Sequence, residues 1–273
     1  MATRVRDAMN RRLEELRYEP TEKRMRALLA GDEVVDSTRA LLVWEPRRVV
    51  PSIAVPIEDV RGELVPARAA GEPGAPPPIL HPGIGFEVHS TAGESLSLRA
   101  GDSVREGVAF APADPDLAGH VILDFHGFDA WLEEDEPLLG HARDPYHRID
   151  MRRSSREVRI ELDGTLLAQS TRAVLLFETS LPTRFYLPRD DVTAAMRPSD
   201  KRTICAYKGH ASYWSLEAGE NLAWTYEDPL PEAAAVRGLV AFFDELVDVS
   251  VDGERRERPR THFAKAILQE AGI

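Results

Sequence analysis

The chain has 273 residues, of which 43% are hydrophobic and 29% are charged, as in ordinary globular proteins. Its net charge of −12 argues against binding nucleic acid through phosphate contacts, and no apolar run approaches the roughly 18 residues of a membrane span. The single cysteine, Cys205, excludes an internal disulfide and a cysteine-based zinc site. The N-terminus is charged throughout and does not resemble a signal peptide, so we predict a cytoplasmic protein. We also predict that the protein holds no metal or other cofactor.

The predicted elements begin with a short amphipathic helix within residues 1–19. Four apolar residues recur there at helical spacing, namely Val5, Met9, Leu13 and Leu16. Short strands follow over residues 20–128, interrupted by a Pro- and Gly-rich loop over residues 62–83. This first β-rich region is predicted to end in a helix from Leu117 to Phe128.

Residues 129–156 are predicted to connect the first β-rich region to a second one. They contain the acidic run Glu133–Glu136, followed by His141 and His147. Pro145 breaks any helix that would bring these two histidines together. We therefore interpret the acidic run as a solvated face and expect no metal site.

The second β-rich region, residues 157–253, opens with a clear strand pattern. Apolar side chains alternate with charged ones at Val158, Ile160 and Leu162. Asp163-Gly164 predicts a hairpin turn, Pro231 begins a helix, and Thr261 caps a final helix within residues 254–273. The sequence thus predicts a mainly β (α+β) chain of antiparallel strands, with one helix in each region and a helix at each terminus.

The two β-rich regions repeat each other. Ser37-Thr38-Arg39-Ala40 recurs as Ser170-Thr171-Arg172-Ala173, and Glu45 aligns with Glu178. This pattern predicts a tandem duplication. Because the arginine and the glutamate are present in both copies, a structural ion-pair or hydrogen-bond role is sufficient to explain them.

Reactive and aromatic side chains are concentrated in the second copy. The residues concerned are Cys205, Tyr207, Lys208, His210, Tyr213 and Trp214. The first copy has, at the aligned positions, Glu87, His89, Ser90, Ala92, Ser95 and Leu96. We interpret this contrast as a division of labour, in which a degenerate first copy is a scaffold and the second carries the site. Neutral drift within a structural repeat is the alternative.

Tyrosine, tryptophan and lysine side chains together suit a planar polar ligand. We predict that they border a cleft in the second copy, with the ligand-binding residues Arg172, Tyr186, Tyr207, Lys208, Tyr213, Trp214 and Trp224. The candidate catalytic residues are Lys208, Cys205 and His210. The alternatives are aromatic residues that fill a β core, a surface lysine and a buried, unreactive cysteine.

These residues resemble the bacterial "domain of unknown function 427" family. The matching positions are Ser170-Thr171-Arg172, Glu178, Tyr186-Leu187-Pro188, Asp191-Val192, Cys205, Tyr207-Lys208-Gly209, Ala211, Tyr213-Trp214, Ala223-Trp224 and Tyr226. Ala206 departs from the proline that other members carry. The resemblance implies two tandem β-tent-like domains, a topology shared with methionine sulfoxide reductase B and the drug-binding domain of cereblon, which holds a cyclic imide in an aromatic cage. The family that it resembles has also been labelled nucleotidyltransferase.

Three functions follow as hypotheses. The first is binding of a small polar planar ligand, a metabolite or a nucleotide, in the second copy. The second is a nucleotidyltransferase that uses the same cleft, although the adjacent Asp190 and Asp191 would point to opposite faces of a strand and could not hold one Mg²⁺ together. The third is an interaction module whose acidic connector meets a basic partner. The sequence does not indicate an oligomeric state.

Overall fold

The computed structural model describes residues 2–68 and 77–260, which form two compact units. The first unit ends at Asp144 and the second begins at Pro145. Within these described ranges, no helix is both long enough and apolar enough to cross a membrane. The predicted helix that Thr261 caps lies outside the described residues.

The first unit begins with helix α1 (Val5–Arg11), which a 3-10 turn at Arg12–Glu14 continues. Its strands are β1 (Arg17–Pro20), β2 (Met25–Leu29), β3 (Asp32–Ser37), β4 (Leu41–Trp44), β5 (Ser52–Pro56), β6 (Glu63–Pro66), β7 (Gly93–Ala100), β8 (Ser103–Pro112), β9 (His120–Leu123), β10 (Ala130–Glu133) and β11 (Glu136–Pro137). They form a seven-stranded sheet in the order β1-β4-β5-β9-β8-β7-β6 and a four-stranded sheet in the order β11-β10-β2-β3.

The second unit also has a large and a small antiparallel sheet. Its strands are β12 (Ile149–Arg153), β13 (Val158–Leu162), β14 (Thr165–Ser170), β15 (Val174–Glu178), β16 (Arg184–Leu187), β17 (Met196–Cys205), β18 (Gly209–Leu216), β19 (Gly219–Thr225), β20 (Val240–Phe242), β21 (Asp248–Val251) and β22 (Glu254–Arg255). The large sheet has the order β12-β15-β16-β20-β19-β18-β17, and the small sheet has the order β14-β13-β21-β22.

The two units therefore have the same strand order, position by position. Their pairing registers agree as well, since Leu41 pairs with Ala54 in the first unit and Val174 pairs with Tyr186 in the second. The hairpin turn predicted at Asp163-Gly164 is confirmed, because both residues have positive φ angles, of 50° and 78°. These registers define which residues are equivalent in the two units. They reproduce the sequence alignment, in which Tyr213 corresponds to Ser95.

Each large sheet has two buried faces. In the second unit one face packs against the small sheet, where the alternation of β13 places Val158 and Ile160 against Phe185 and Phe242. The opposite face carries a separate apolar cluster that contains Tyr186 and is covered in part by the segment Pro231–Val236. Strand alternation thus creates two different environments on one sheet.

One predicted helix is wrong, and a second one, which begins at Pro231 as predicted, is a shorter 3-10 helix. Within residues 117–128 the chain forms strand β9, which joins the large sheet between β5 and β8 and is flanked by 3-10 turns at Pro115–Leu117 and Phe125–Gly127. Pro231–Val236 is a single 3-10 segment that is followed by Gly238, with a φ of 68°, and then by β20. In both places hydrogen bonding to neighbouring strands outweighs the local apolar periodicity that suggested a helix.

The predicted connector at residues 129–156 is divided between the two units. Strands β10 and β11 complete the small sheet of the first unit, and β12 is an edge strand of the large sheet in the second. The acidic run Glu133–Glu136 forms the β10–β11 turn, where Lys23 pairs with Glu133 and Arg26 pairs with Asp135. The start of the predicted C-terminal helix is likewise a strand, β22.

Ser170, Arg172 and Asp191 form a corner that links β14 to the turn after β16. The backbone N–H of Arg172 donates to Ser170 Oγ at 3.1 Å, the Ser170 hydroxyl donates to Asp191, and Arg172 Nη2 lies 2.8 Å from Asp191 Oδ1. Ser37, Arg39 and Asp59 make the same corner in the first unit. Arg172, a predicted ligand contact, is therefore an exposed partner of Asp191 in this corner.

We predict that Asp191→Ala lowers the free energy of unfolding by roughly 1–2 kcal/mol, because the buried Ser170 hydroxyl loses its acceptor. Arg172→Ala should cause a smaller loss, since that side chain is exposed and its ion pair is screened by water. Urea unfolding of both variants measures the difference. Equal losses in the two variants would show that the hydroxyl contact does not control this corner.

Candidate functional site

Three of the predicted ligand-binding aromatics lie on one face of the large sheet in the second unit. Tyr213 and Trp224 are cross-strand partners on β18 and β19, and Tyr186 lies on β16, with Ala241 of β20 between it and Trp224. Trp224 Nε1 donates to Tyr186 Oη at 3.2 Å. All three aromatic side chains are buried, so here they form part of a packed core and do not border an open cleft.

Trp214 lies on the other face of the sheet. It follows Tyr213 directly in β18, and successive side chains of a strand point to opposite faces. Its ring packs against the core between the two sheets, and its Nε1 donates to Thr225 Oγ1 at 2.8 Å. The prediction that Trp214 borders the same cleft as Tyr213 is therefore wrong.

Lys208 lies in the tight turn between β17 and β18. Its backbone N–H donates to the carbonyl of Cys205, and Gly209 closes the turn with a φ of 91°. The side chain is only 6% exposed, and its Nζ donates to Glu178 Oε1 at 2.6 Å. Lys208 is thus neither a surface lysine nor an open pocket lysine, but one partner of a buried ion pair.

Glu178 ends β15 and has a second partner, His147. The His147 Nε2 lies 3.0 Å from the same Oε1 atom, and the His147 ring stacks on Tyr207 with centroids 4.3 Å apart. Burial alone would raise the pKa of Glu178, but the hydrogen bond from His147 and the charge of Lys208 outweigh it and lower the pKa. Glu178 is therefore ionised, and removal of Lys208 would leave its buried charge with only the His147 hydrogen bond among the contacts described above, at a cost of up to about 3–5 kcal/mol.

The remaining candidate residues are placed as follows. Cys205 is half-buried and lies near Tyr186 and Tyr226 at the polar end of the aromatic face. His210 is exposed and points away from that face, because its neighbour Ala211 belongs to the buried cluster. In the described part of the chain, no group of three or more His, Cys, Asp or Glu side chains is arranged to hold a metal ion.

Sequence reasoning missed Glu178 and His147 as members of this site. The signal for Glu178 was its recurrence as Glu45, which we assigned to structure alone. Nothing local connects His147 to it, because the two residues are brought together only by the pairing of β12 with β15.

The first unit has the same buried glutamate with different partners. Glu45 is 1% exposed, and its carboxylate lies 3.1 Å from His89 Nδ1 and 3.3 Å from Arg48 Nη2. The Ser90 backbone N–H also donates to it at 3.0 Å. Burial again opposes ionisation, but these partners lower the pKa of Glu45. Because His89 and Ser90 are equivalent to Tyr207 and Lys208, the position of the carboxylate is retained while its partners have changed.

A second charged cluster borders the aromatic face. Arg184, whose guanidinium lies 5.7 Å from the Trp224 ring centre, makes two bonds to Glu245, of 2.8 and 2.6 Å. Asp244 Oδ1 is 3.7 Å from Arg184, and the side chain is buried. Burial, only partly offset by Arg184, raises the pKa of Asp244 to about 7.

We predict that Asp244→Asn stabilises the protein at pH 8 but much less at pH 5. The folded state holds this proton up to about pH 7, whereas the unfolded chain releases it near the ordinary value of 3.8. The stability that protonated Asp244 contributes is therefore lost as the pH rises from about 4 to about 7. Asparagine avoids this loss, so the free energy of unfolding at pH 8 should rise by on the order of 1–3 kcal/mol. Denaturant unfolding at the two pH values measures it.

Asp248→Asn is the control, because Arg255 and Arg258 hold the pKa of this carboxyl below its usual value despite an opposing effect of burial. The Asp248→Asn substitution should therefore not raise the free energy of unfolding at pH 8. A gain for Asp244→Asn that is equal at both pH values would contradict the titration.

Comparison with known proteins gives a family match for the second unit. Residues 150–253 match the family model described as "Domain of unknown function (DUF427)", and the match covers nearly all the strands of the second unit. No curated protein matches the chain. The second unit, with its buried Glu178–Lys208 pair, belongs to the family described as "Domain of unknown function (DUF427)".

Proposed function

We propose that the second unit binds a small polar planar ligand, a metabolite or a nucleotide, at the polar end of its aromatic face. The observation that carries the proposal is the buried Glu178–Lys208 pair with His147 stacked on Tyr207. Buried ion pairs are often no more stabilising than apolar residues of the same volume. A polar ligand that exchanges hydrogen bonds with this pair would account for its burial.

Access to this site runs through its half-buried members. His147 and Cys205 keep part of their surface in water, whereas Tyr186 behind them is fully buried. A planar ligand would approach from this edge, exchange hydrogen bonds with Lys208 and Glu178, and lie against the His147–Tyr207 pair. The buried aromatic core behind the site fixes the positions of these groups.

Nucleotidyl transfer would use the same residues, but the described carboxylates favour it less. Transfer of this kind relies on carboxylates that share Mg²⁺ between them. Asp191 is engaged by Arg172 and Ser170 in the structural corner, and Asp190 is exposed beside it. Glu178 Oε1 is already engaged by Lys208 and His147, which compete with a metal ion for the same oxygen.

An interaction module that uses the acidic run is also less favoured. Glu133 is paired with Lys23, and Asp135 with Arg26, all within the first unit. The charge that a basic partner would meet is thus partly neutralised before binding.

We also propose that the two units arose by internal duplication. The repeated sequence, the common strand order and the corner made twice by Ser, Arg and Asp support this origin. The buried glutamate belongs to the shared framework, whereas Lys208 of the second unit has Ser90 as its counterpart in the first.

The test uses the single cysteine of the full-length chain. We predict that a bound nucleotide or planar metabolite slows the reaction of Cys205 with a thiol reagent several-fold, because Cys205 borders the site. His147→Ala should abolish this protection, since it removes the stacking ring, and His210→Ala should preserve it. The screen is run with and without Mg²⁺, and release of pyrophosphate would indicate nucleotidyl transfer.

A screen in which no planar compound protects Cys205 would contradict the proposal. Equal loss of protection in the His147→Ala and His210→Ala variants would also contradict it.

A further inference from the structure

The first unit contains an open cleft of about 360 Å³ beside the ends of strands β5 and β9 of its large sheet. This volume is at the lower end of the range of small-molecule sites, roughly 300–1,000 Å³. Its apolar walls include Ile53, Phe86, Leu123 and Phe125. Polar side chains also line it, among them Arg48, Glu87 and Asp124. The unit that we predicted to be a scaffold thus contains an open cleft.

Comparison of the two units shows why the cleft is open. Ser52 occupies the position of Arg184, because their strand neighbours Ile53 and Phe185 hold equivalent registers. In the second unit the Arg184 side chain and its two carboxylate partners, Asp244 and Glu245, occupy the equivalent region. Replacement of the arginine by serine leaves room for a ligand.

Arg48 lines this cleft and has one hydrogen-bond donor that no described residue uses. It is only 7% exposed, its Nη2 donates to the Val88 carbonyl at 2.9 Å, and the same atom pairs with Glu45. Its Nε is buried and has no hydrogen-bond partner among the described residues. Buried donors are nearly always satisfied, so a ligand with an acceptor oxygen, such as a carboxylate, fits this position.

The other charges of the cleft restrict the ligand further. Glu45 already compensates Arg48, and the carboxylates of Glu87 and Asp124 add negative charge to the lining. A simple anion would therefore be repelled, whereas a ligand that also carries an ammonium group would balance these carboxylates. The aromatic and aliphatic walls require an apolar body between the two charged groups.

From these observations we propose that the cleft of the first unit binds a small zwitterion with an apolar body, the simplest example being an α-amino acid with a large apolar side chain. Its carboxylate accepts a hydrogen bond from Arg48, its ammonium faces Glu87 and Asp124, and its side chain lies between Phe86 and Phe125. This site differs in unit and in ligand from the one proposed above, and either can fail without the other.

The experiment titrates the full-length chain with three probes and follows backbone amide shifts by NMR. L-phenylalanine should bind, whereas N-acetyl-L-phenylalanine, which lacks the ammonium, and L-phenylalaninamide, which lacks the carboxylate, should each bind at least tenfold more weakly. L-phenylalanine should leave the reactivity of Cys205 unchanged, which separates this site from that of the second unit.

The decisive variant is Ser52→Arg, which places in the first unit the arginine that the second unit carries and leaves Arg48 and Glu45 untouched. It should reduce L-phenylalanine affinity at least tenfold, while Ser103→Arg, which adds the same charge outside the cleft, should not. Unchanged binding in Ser52→Arg, no binding of L-phenylalanine at 10 mM or below, or equal binding of the amide or acetylated probe would overturn the proposal.

Discussion

A buried carboxylate at the end of the second strand of each large sheet, β4 or β15, is the constraint on which the rest of each unit depends. An ionised glutamate in a closed core is tolerated only with cations and donors around it. Glu45 obtains them from Arg48, His89 and the Ser90 backbone, and Glu178 from Lys208 and His147. In the first unit these contacts hold the segment before β7 against the end of β4. In the second they hold the segment before β18 against the end of β15. The contacts thereby fix the polar end of each large sheet.

The two units satisfy this constraint in ways that leave different spaces beside the same sheet. In the second, Trp224 and its aromatic neighbours fill the face, and Arg184 pairs beside it with Asp244 and Glu245. In the first, Phe110 takes the place of Trp224, and Ser52, in the position of Arg184, lines an open cleft. One topology thus carries a closed, charged cluster in one unit and an open cleft in the other.

Local patterns predicted much of the fold. The alternation at Val158 and Ile160, the hairpin at Asp163-Gly164 and the repeat of the Ser-Thr-Arg segment all correspond to observed strands and turns. Prediction failed where distant partners decide the structure. The segment that contains β9 is a strand because neighbouring strands supply its hydrogen bonds, and Lys208 is buried because Glu178 lies opposite it. The two-residue period of a strand is sufficient to predict that Tyr213 and Trp214 lie on opposite faces of the sheet, but we did not apply it to that pair.

The most direct test of this account is the titration of the Glu178 carboxyl carbon by ¹³C NMR, with Glu178→Gln to assign the signal. The account predicts a midpoint below the ordinary value of 4.5, because His147 and Lys208 together outweigh burial in setting the pKa. It also predicts that the midpoint rises in Lys208→Met, when that variant remains folded. A midpoint above 4.5 in the unmodified protein would show that Glu178 is not held as a buried anion, and would contradict the account.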